Sequence, residues 1–197
     1  MELYVNGNKI DITLENEKTV GDVLRGMEEE FAQNEATTIS IVLNGCKIEA
    51  DAFDKAAEEP LSDSTKLELT VISVAELKES FAFEGKIARE LAENLEQIPV
   101  QLQSGKDKEA GTIISRLADL VDGFCKTASL ASLFPDLYAS IQIDGKKLSE
   151  FFSDFSAILT DFKQALEDKD TVLIGDLAEY EISPRLHAIA DAVQGEA

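Results

Sequence analysis

Hydrophobic and polar positions along the chain follow two rhythms, and the change comes near residue 74. From Leu3 to Val74 the period is mostly two. Leu3 and Val5 alternate before Asn6-Gly7-Asn8, and Ile10, Ile12 and Leu14 alternate after it. This predicts a β-hairpin in which glycine supplies the positive φ of a tight turn. Thr19 stands where a helix N-cap belongs. Val20, Val23, Leu24, Met27 and Phe31 follow at helical spacing, which leaves Glu28, Glu29 and Glu30 mostly solvated. Ile39 to Leu43 is a β-branched run, Asn44-Gly45 a second hairpin turn, and Cys46 to Glu49 the returning strand. Ala50 to Glu59 reads as weakly helical or irregular and ends at Pro60. Leu67, Leu69 and Val71 then alternate with Glu68 and Thr70 in a last strand.

After Val74 the period becomes 3.6. Leu77, Phe81, Ala88, Leu91, Leu95, Ile98 and Leu102 lie along one helical stripe. Pro99 removes an N–H within that run, so a kink or break is expected there. Asp107 is the expected N-cap of a second helix carrying Ile113, Ile114, Leu117, Leu120, Val121, Phe124 and Ala128, which should end before Pro135. Residues 135–147 are the least regular stretch, with Ile141-Gln-Ile143 a candidate extended segment and Asp144-Gly145 a turn. A third helix carries Leu148, Phe151, Phe152, Phe155, Leu159, Phe162 and Leu166. Asp170 is a plausible cap for a fourth, with Val172, Leu173, Leu177, Ile182, Leu186, Ile189 and Val193 on its stripe. Pro184 should kink that helix and leave the carbonyl of Tyr180 without its helical partner. Helices are therefore expected over about 75–103, 107–133, 147–168 and 170–194, packed as an antiparallel four-helix bundle. The fold class read from the pattern is α+β, with a β-rich domain at 1–74 and a helical one at 75–197. No Gly- or Pro-rich linker separates the two, which predicts a fairly rigid junction.

Composition narrows the function classes. The 197 residues hold 39 acidic and 18 basic side chains, a formal net charge of −21. A chain with 44% hydrophobic and 29% charged residues is expected to fold. Sequence-independent binding to phosphate backbones or anionic lipid needs clustered Lys and Arg, so nucleic acid and membrane are not expected partners. Residues 1–74 hold 16 acids and 6 bases, and residues 75–197 hold 23 and 12, so both halves are acidic. A protein partner with a basic surface would suit that charge. The start shows no basic or apolar signal region, no segment has the roughly 18 uncharged apolar residues of a membrane span, and Val193 to Ala197 carries no lipidation motif. Two cysteines, Cys46 and Cys125, fit a reducing compartment. A cytoplasmic protein is the resulting expectation.

The order strand, strand, helix, strand, strand, irregular turn, strand is that of a β-grasp domain. Met1-Glu-Leu-Tyr-Val5, Ile12-Thr-Leu-Glu15, Val42-Leu-Asn-Gly45 and Ser64-Thr-Lys-Leu-Glu-Leu69 resemble the successive strands of ubiquitin-like proteins. The resemblance covers residues 1 to about 74 and implies a β-grasp fold, in which tags, sulfur carriers, scaffolds and adaptors all occur. Conjugated and sulfur-carrying members end in a free diglycine. Here Val71-Ile-Ser-Val74 runs into Ala75-Glu-Leu-Lys78, and Gly-Gly occurs nowhere. By the same resemblance, the positions of the apolar patch that partners of ubiquitin read are Val42, Glu68 and Thr70, a mostly polar set. The second half resembles small helical-bundle families of bacteria whose roles are undescribed.

Candidate chemistry is sparse. His187 is the sole histidine and has Pro184, not Glu, three residues before it, so the Glu-x-x-His pairs of di-iron bundles are missing. Asp168, Asp170 and Glu179 match positions 1, 3 and 12 of a calcium-binding loop, but Val172 and Leu173 stand where an oxygen ligand and a glycine are needed. The two commonest phosphate-loop sequences and the serine nucleophile elbow are absent. Cys125, beside Phe124, reads as a small buried hydrophobe, and Cys46 has no visible catalytic partner. No catalytic, cofactor or metal site is assigned. The candidate partner-binding residues are Val42, Glu68 and Thr70 on the head, adjacent Phe151 and Phe152, which point about 100° apart on a helix, and Tyr180 and Arg185 around Pro184. The sequence thus points to a non-enzymatic interaction module: an adaptor, chaperone or assembly factor. A scaffold that self-associates through the aromatic helix is the alternative, and a carboxylate-dependent enzyme or small-ligand bundle a further one.

Overall fold

A computed structural model describes residues 1–194 and, within them, all but the side chain of Asp107. Residues 195–197, the end of the segment expected to carry no lipidation motif, lie outside the described residues. The chain divides into two compact units, Met1–Glu76 and Leu77–Ala197. It has an α+β fold, with a mixed five-stranded sheet followed by a mostly helical region.

The first unit contains β1 (Glu2–Val5), β2 (Asn8–Ile10), α1 (Val20–Gln33), β3 (Ala36–Leu43), β4 (Cys46–Lys47), a short 3-10 turn (Ala50–Ala52), α2 (Phe53–Ala57) and β5 (Lys66–Ser73). The sheet order is β2-β1-β5-β3-β4. β1 and β5 run parallel with Leu3 beside Leu67, and the other neighbours are antiparallel. Leu3, Leu43, Leu67, Leu69 and Val71 form the buried face, and Val20, Val23 and Met27 of α1 pack among them. Thr19 caps α1 as expected, and Asp22 completes a capping box by accepting the N–H groups of Lys18 and Thr19.

Both hairpin turns have positive φ at both central residues, Asn6-Gly7 and Asn44-Gly45. β2 is shorter than the Ile10, Ile12, Leu14 alternation suggests. Beyond it, the Glu17 carboxylate accepts the N–H groups of Glu15 and Asn16 and bends the chain. β3 is longer than the Ile39–Leu43 run, because Ala36, Thr37 and Thr38 also pair with β5.

The second unit contains the remaining helices; α3 (Val74–Leu95) begins where β5 ends. α4 (Ile98–Gln103) follows the break expected at Pro99. α5 (Asp107–Ala131) starts at Asp107 itself, with Lys106 at the N-cap position, so the expected Asp107 cap is shifted by one. α6 (Pro135–Ser140) uses its proline at the first helical position, where no N–H is needed. β6 (Gln142–Ile143) and β7 (Lys146–Lys147) flank a third turn of the same kind, Asp144-Gly145. α7 (Leu148–Asp168), α8 (Thr171–Asp176), a widened π turn (Leu177–Ile182) and α9 (Ser183–Gln194) complete the chain. Asp170 caps α8 by accepting the Leu173 N–H.

Contacts between the long helices give their directions. Phe81 meets Phe124 while Glu90 pairs with Arg116, so α3 and α5 are antiparallel. Arg89 pairs with Asp191 while Glu96 accepts from Ser183, so α3 and α9 are antiparallel too. The fourth rod departs from its expected stripe. Val172 and Leu173 are exposed, while Ile174, Ala178, Ile182 and Leu186 are buried at intervals of four. The π turn, with its i→i+5 bonds, slows the rotation of the stripe and so keeps positions four apart on one face. In its i→i+5 register, seen in the Ser183 N–H bonding the Ala178 carbonyl, the carbonyl of Tyr180 lies opposite Arg185 rather than the N–H-less Pro184.

Candidate functional site

Among the described residues, each unit carries a sizeable surface groove. One, of about 840 Å³, lies in the first unit between α1 and β3. Gly21, Leu24, Arg25 and Glu28 of α1 repeat at helical spacing and make one wall. Residues 38–41 make the floor, and the other wall runs from Lys47 and Ile48 to Phe53 and Ala57. Gly21 closes one end, because a Cβ there would lie 3.0 Å from the Ala57 carbonyl oxygen.

Two sequence features open this groove. β3 is eight residues long but β4 only two, so β4 pairs only with Val42 and Leu43. Upstream of that pair, the β3 edge turned from β5 has no neighbouring strand among the described residues. The β3–β5 register also shifts between Thr38 and Ser40, a bulge that sets Ile39 apart from the ladder. Ile39 and Phe53, both lining the groove, are 39% and 40% exposed. Glu28 sits on the free edge. Its carboxylate accepts the Thr37 hydroxyl at 2.7 Å, the Thr38 hydroxyl at 2.9 Å and the Thr38 N–H at 3.4 Å. The rim cations are already paired, Arg25 with Asp22 and Lys47 with Glu49.

The expected head residues lie on the opposite face of the sheet. Val42 is opposite Glu68, and Thr70 opposite Ser40, on the alternation that turns Leu67, Leu69 and Val71 inward. This face is polar, as its sequence suggested. Lys66 pairs with Glu68 at 2.9 Å and stands over the Tyr4 ring, while Lys9 pairs with Glu2 at 2.6 Å. The hydrogen bond from Lys9 holds the Glu2 carboxyl below the usual range.

In the second unit the expected residues separate. Phe151 is corrected from a partner anchor to a core residue: it is 4% exposed, with its ring against Phe152 and Phe155. Phe152 is half-buried and turns toward Phe124, extending an aromatic row to Phe81. Tyr180 is 64% exposed on the π turn. Arg185 donates to the Glu181 carbonyl and carboxylate and, with Phe151, Lys146 and Asp154, lines a small cleft of about 170 Å³.

The second groove, about 480 Å³, runs between α5 and α7 past Ile114, Val121, Leu159, Phe162 and Leu166. Cys125 lies on it and is exposed, which corrects the expectation of a buried cysteine; the apolar stripe of α5 is wider than the face its neighbours cover. Partial burial raises its thiol pKa, and Asp122 and Glu84 add to the rise, so the sulfur stays protonated. His187 is half-exposed, with Nε2 3.7 Å from Glu96. Among the described residues, no group of three His, Cys, Asp or Glu side chains could hold a metal ion. Nor is any described helix long and apolar enough to cross a membrane.

The helical part decides the family. Residues 86–192, more than half of the chain, match the model of a domain of unknown function, DUF8042. The chain belongs to the DUF8042 family. Ahead of its DUF8042 region, residues 1–73 match the TP0873 N-terminal domain. Both parts are similar in one relative, an uncharacterized protein of Treponema pallidum (strain Nichols). That protein is 26% identical over 193 residues, spanning 98% of this chain and 96% of its own length. No solved structure matches the chain.

Both grooves escaped the sequence reading. In the sequence the run Ile39–Leu43 and the return Cys46–Glu49 are of nearly equal length, so the mismatch that opens the first groove emerges only where Ala36, Thr37 and Thr38 also pair with β5.

Proposed function

We propose that this DUF8042 protein is a non-enzymatic, cytoplasmic protein-interaction module, in which a ubiquitin-like β-grasp head is joined to a helical bundle. The sheet order β2-β1-β5-β3-β4, with one helix packed on its buried face, supports the β-grasp reading. The observation that carries the functional reading is the α1–β3 groove. It joins a strand edge that has no neighbouring strand along residues 36–40, among the described residues, to exposed Ile39 and Phe53, in a unit whose other sheet face is polar. Adaptors and assembly factors use such surfaces, because apolar anchors beside a polar rim provide affinity without chemistry. The aromatic helix α7 supports a scaffold less well, since Phe151, Phe155 and Phe162 are consumed inside the unit.

Paired affinity capture tests the reading. The full chain and its Ile39→Asp, Phe53→Ser variant are used as baits in extract of the source cell. The expected result is a protein held by the first bait and released by the second. Identical captures from both baits, or none from either, would overturn the reading.

A further inference from the structure

Building on that reading, we infer that the α1–β3 groove binds an extended protein segment, with alternating aliphatic side chains and basic flanks, as an added strand on β3. Side-chain burial alone would need only the apolar lining. The strand edge adds a second requirement: backbone N–H and C=O groups along residues 36–40 that no neighbouring strand meets among the described residues, ending where the Ile41 carbonyl accepts the Ile48 N–H at 2.9 Å. At about 3.3 Å per residue, that edge matches a partner segment of roughly five residues. Alternate side chains of such a segment point to one face, where Leu24, Ile41 and Phe53 can receive them.

Glu28 gives the edge a reversible cover. Its bond to the Thr38 N–H, at 3.4 Å, is the longest of its three. A carbonyl of the incoming strand takes over that N–H, while the two threonine hydroxyls continue to hold the carboxylate. The cover also protects the free protein from pairing edge to edge with its own copies.

Charge sets the flanks. Arg25 and Lys47, the cations of the lining, are engaged by Asp22 and Glu49. Asp51 and Asp54, in the segment that builds the outer wall, have no ion-pair partner among the described residues. A head with 16 acids and 6 bases repels an acidic segment, and a second copy of itself, and attracts one flanked by Lys and Arg.

The probe is a synthetic peptide, Lys-Arg-Val-Ser-Ile-Ser-Val-Arg-Lys, titrated into the ¹⁵N-labelled full chain. Amide shifts are expected at Leu24, Thr38, Ile39, Ile41 and Phe53. Two further peptides carry N-methyl groups on the odd or on the even backbone amides. Strand addition uses only one set, so one of them is expected to bind about tenfold more weakly and the other unchanged. An acid-flanked peptide should also bind more weakly. Ile39→Asp should abolish the shifts while the unfolding midpoint stays put, and Phe53→Ser serves as the second variant. Equal binding of both methylated peptides, shifts that map elsewhere, or no binding of the first peptide would overturn the inference. If any of these occurred while paired capture still found a partner released by the groove variant, the interaction-module reading would stand without the strand.

Discussion

The Thr127 hydroxyl donates to Glu84 Oε1 at 2.8 Å across the α3–α5 contact, while Glu84 Oε2 is shut from solvent with no hydrogen-bond partner among the described residues. Burial pushes the Glu84 carboxyl above its ordinary range, and the threonine bond offsets only part of that rise. A carboxyl that holds its proton more tightly when folded contributes stability below the ordinary carboxylate value, about pH 4.3, and loses it as pH rises toward the folded value. Glu84→Gln keeps the acceptor for Thr127 and removes the charge. Its unfolding midpoint should exceed that of the parent at pH 7, and the difference should vanish below about pH 4. Thermal unfolding of both proteins across that range checks the sign. A difference that is constant with pH would mean the gain comes from packing.

Gly85 and Gly26 should respond in opposite ways to alanine. A Cβ on Gly85 would lie 2.5 Å from Cγ2 of Val193, a buried and β-branched side chain that cannot swing aside. Overpacking of that kind costs about 1–3 kcal/mol, more than the ~1 kcal/mol alanine gains over glycine in a helix. Gly26, in α1, has nothing within 4 Å of its added Cβ, so Gly26→Ala should stabilise by about 0.5–1 kcal/mol. Urea unfolding of the two variants reads both signs.

The β-rich unit was legible in the sequence largely because its local signals agree. Alternation at Leu3 and Val5, the Asn-Gly turns and the Thr19 cap each specify a short segment that the sheet then uses unchanged. Helical periodicity located the rods but not their faces. Cys125 and Val121 fall on the apolar stripe of α5, yet that stripe is wider than α3 and α7 can cover, so its margin faces a groove. Val172 and Leu173 are exposed in the first turn of α8, ahead of the π turn, while burial runs through Ile174, Ala178 and Ile182, a spacing that a 3.6-residue period does not give. Glu84 looked like any solvated acid, and only the approach of Thr127, 43 residues later, distinguishes it. The α1–β3 groove depends on where the chain goes after Lys47, which periodicity does not record.

The capping box of α1 makes a separate prediction. Asp22 accepts from the N–H groups of Lys18 and Thr19, and these bonds hold its carboxyl below the ordinary range. An acid held low in this way stabilises the fold above the unfolded value and ceases to do so as pH falls through the folded value. Asp22→Asn should therefore weaken the head at pH 7 and match the parent once pH lies below the folded carboxyl value. Thr19→Ala, which removes the other half of the box, should cost about 1 kcal/mol at both pH values. Hydrogen exchange of the α1 amides against pH separates the two.

Asn6 offers the sharpest test of how the head is held together. Its side chain pairs with the backbone of Val71 in both directions, accepting the N–H at 2.8 Å and donating to the carbonyl at 3.1 Å. Asn44 does half as much at the other end of β5, accepting the Lys66 N–H at 2.9 Å. Both residues have positive φ, near 50°, where asparagine is tolerated better than most side chains. Asn6→Ala would remove two hydrogen bonds and leave a β-carbon in the left-handed region, a loss of about 2–4 kcal/mol. Asn6→Gly relieves the backbone but not the lost bonds, so it should cost about 1–2 kcal/mol less than alanine. Asn44→Gly should be milder than Asn6→Gly, because one bond is lost instead of two. Chemical unfolding followed by the amide signals of residues 1–76 gives the order directly. If alanine and glycine at position 6 were equally destabilising, backbone strain would contribute nothing there, and the side-chain bonds to β5 would account for the whole effect.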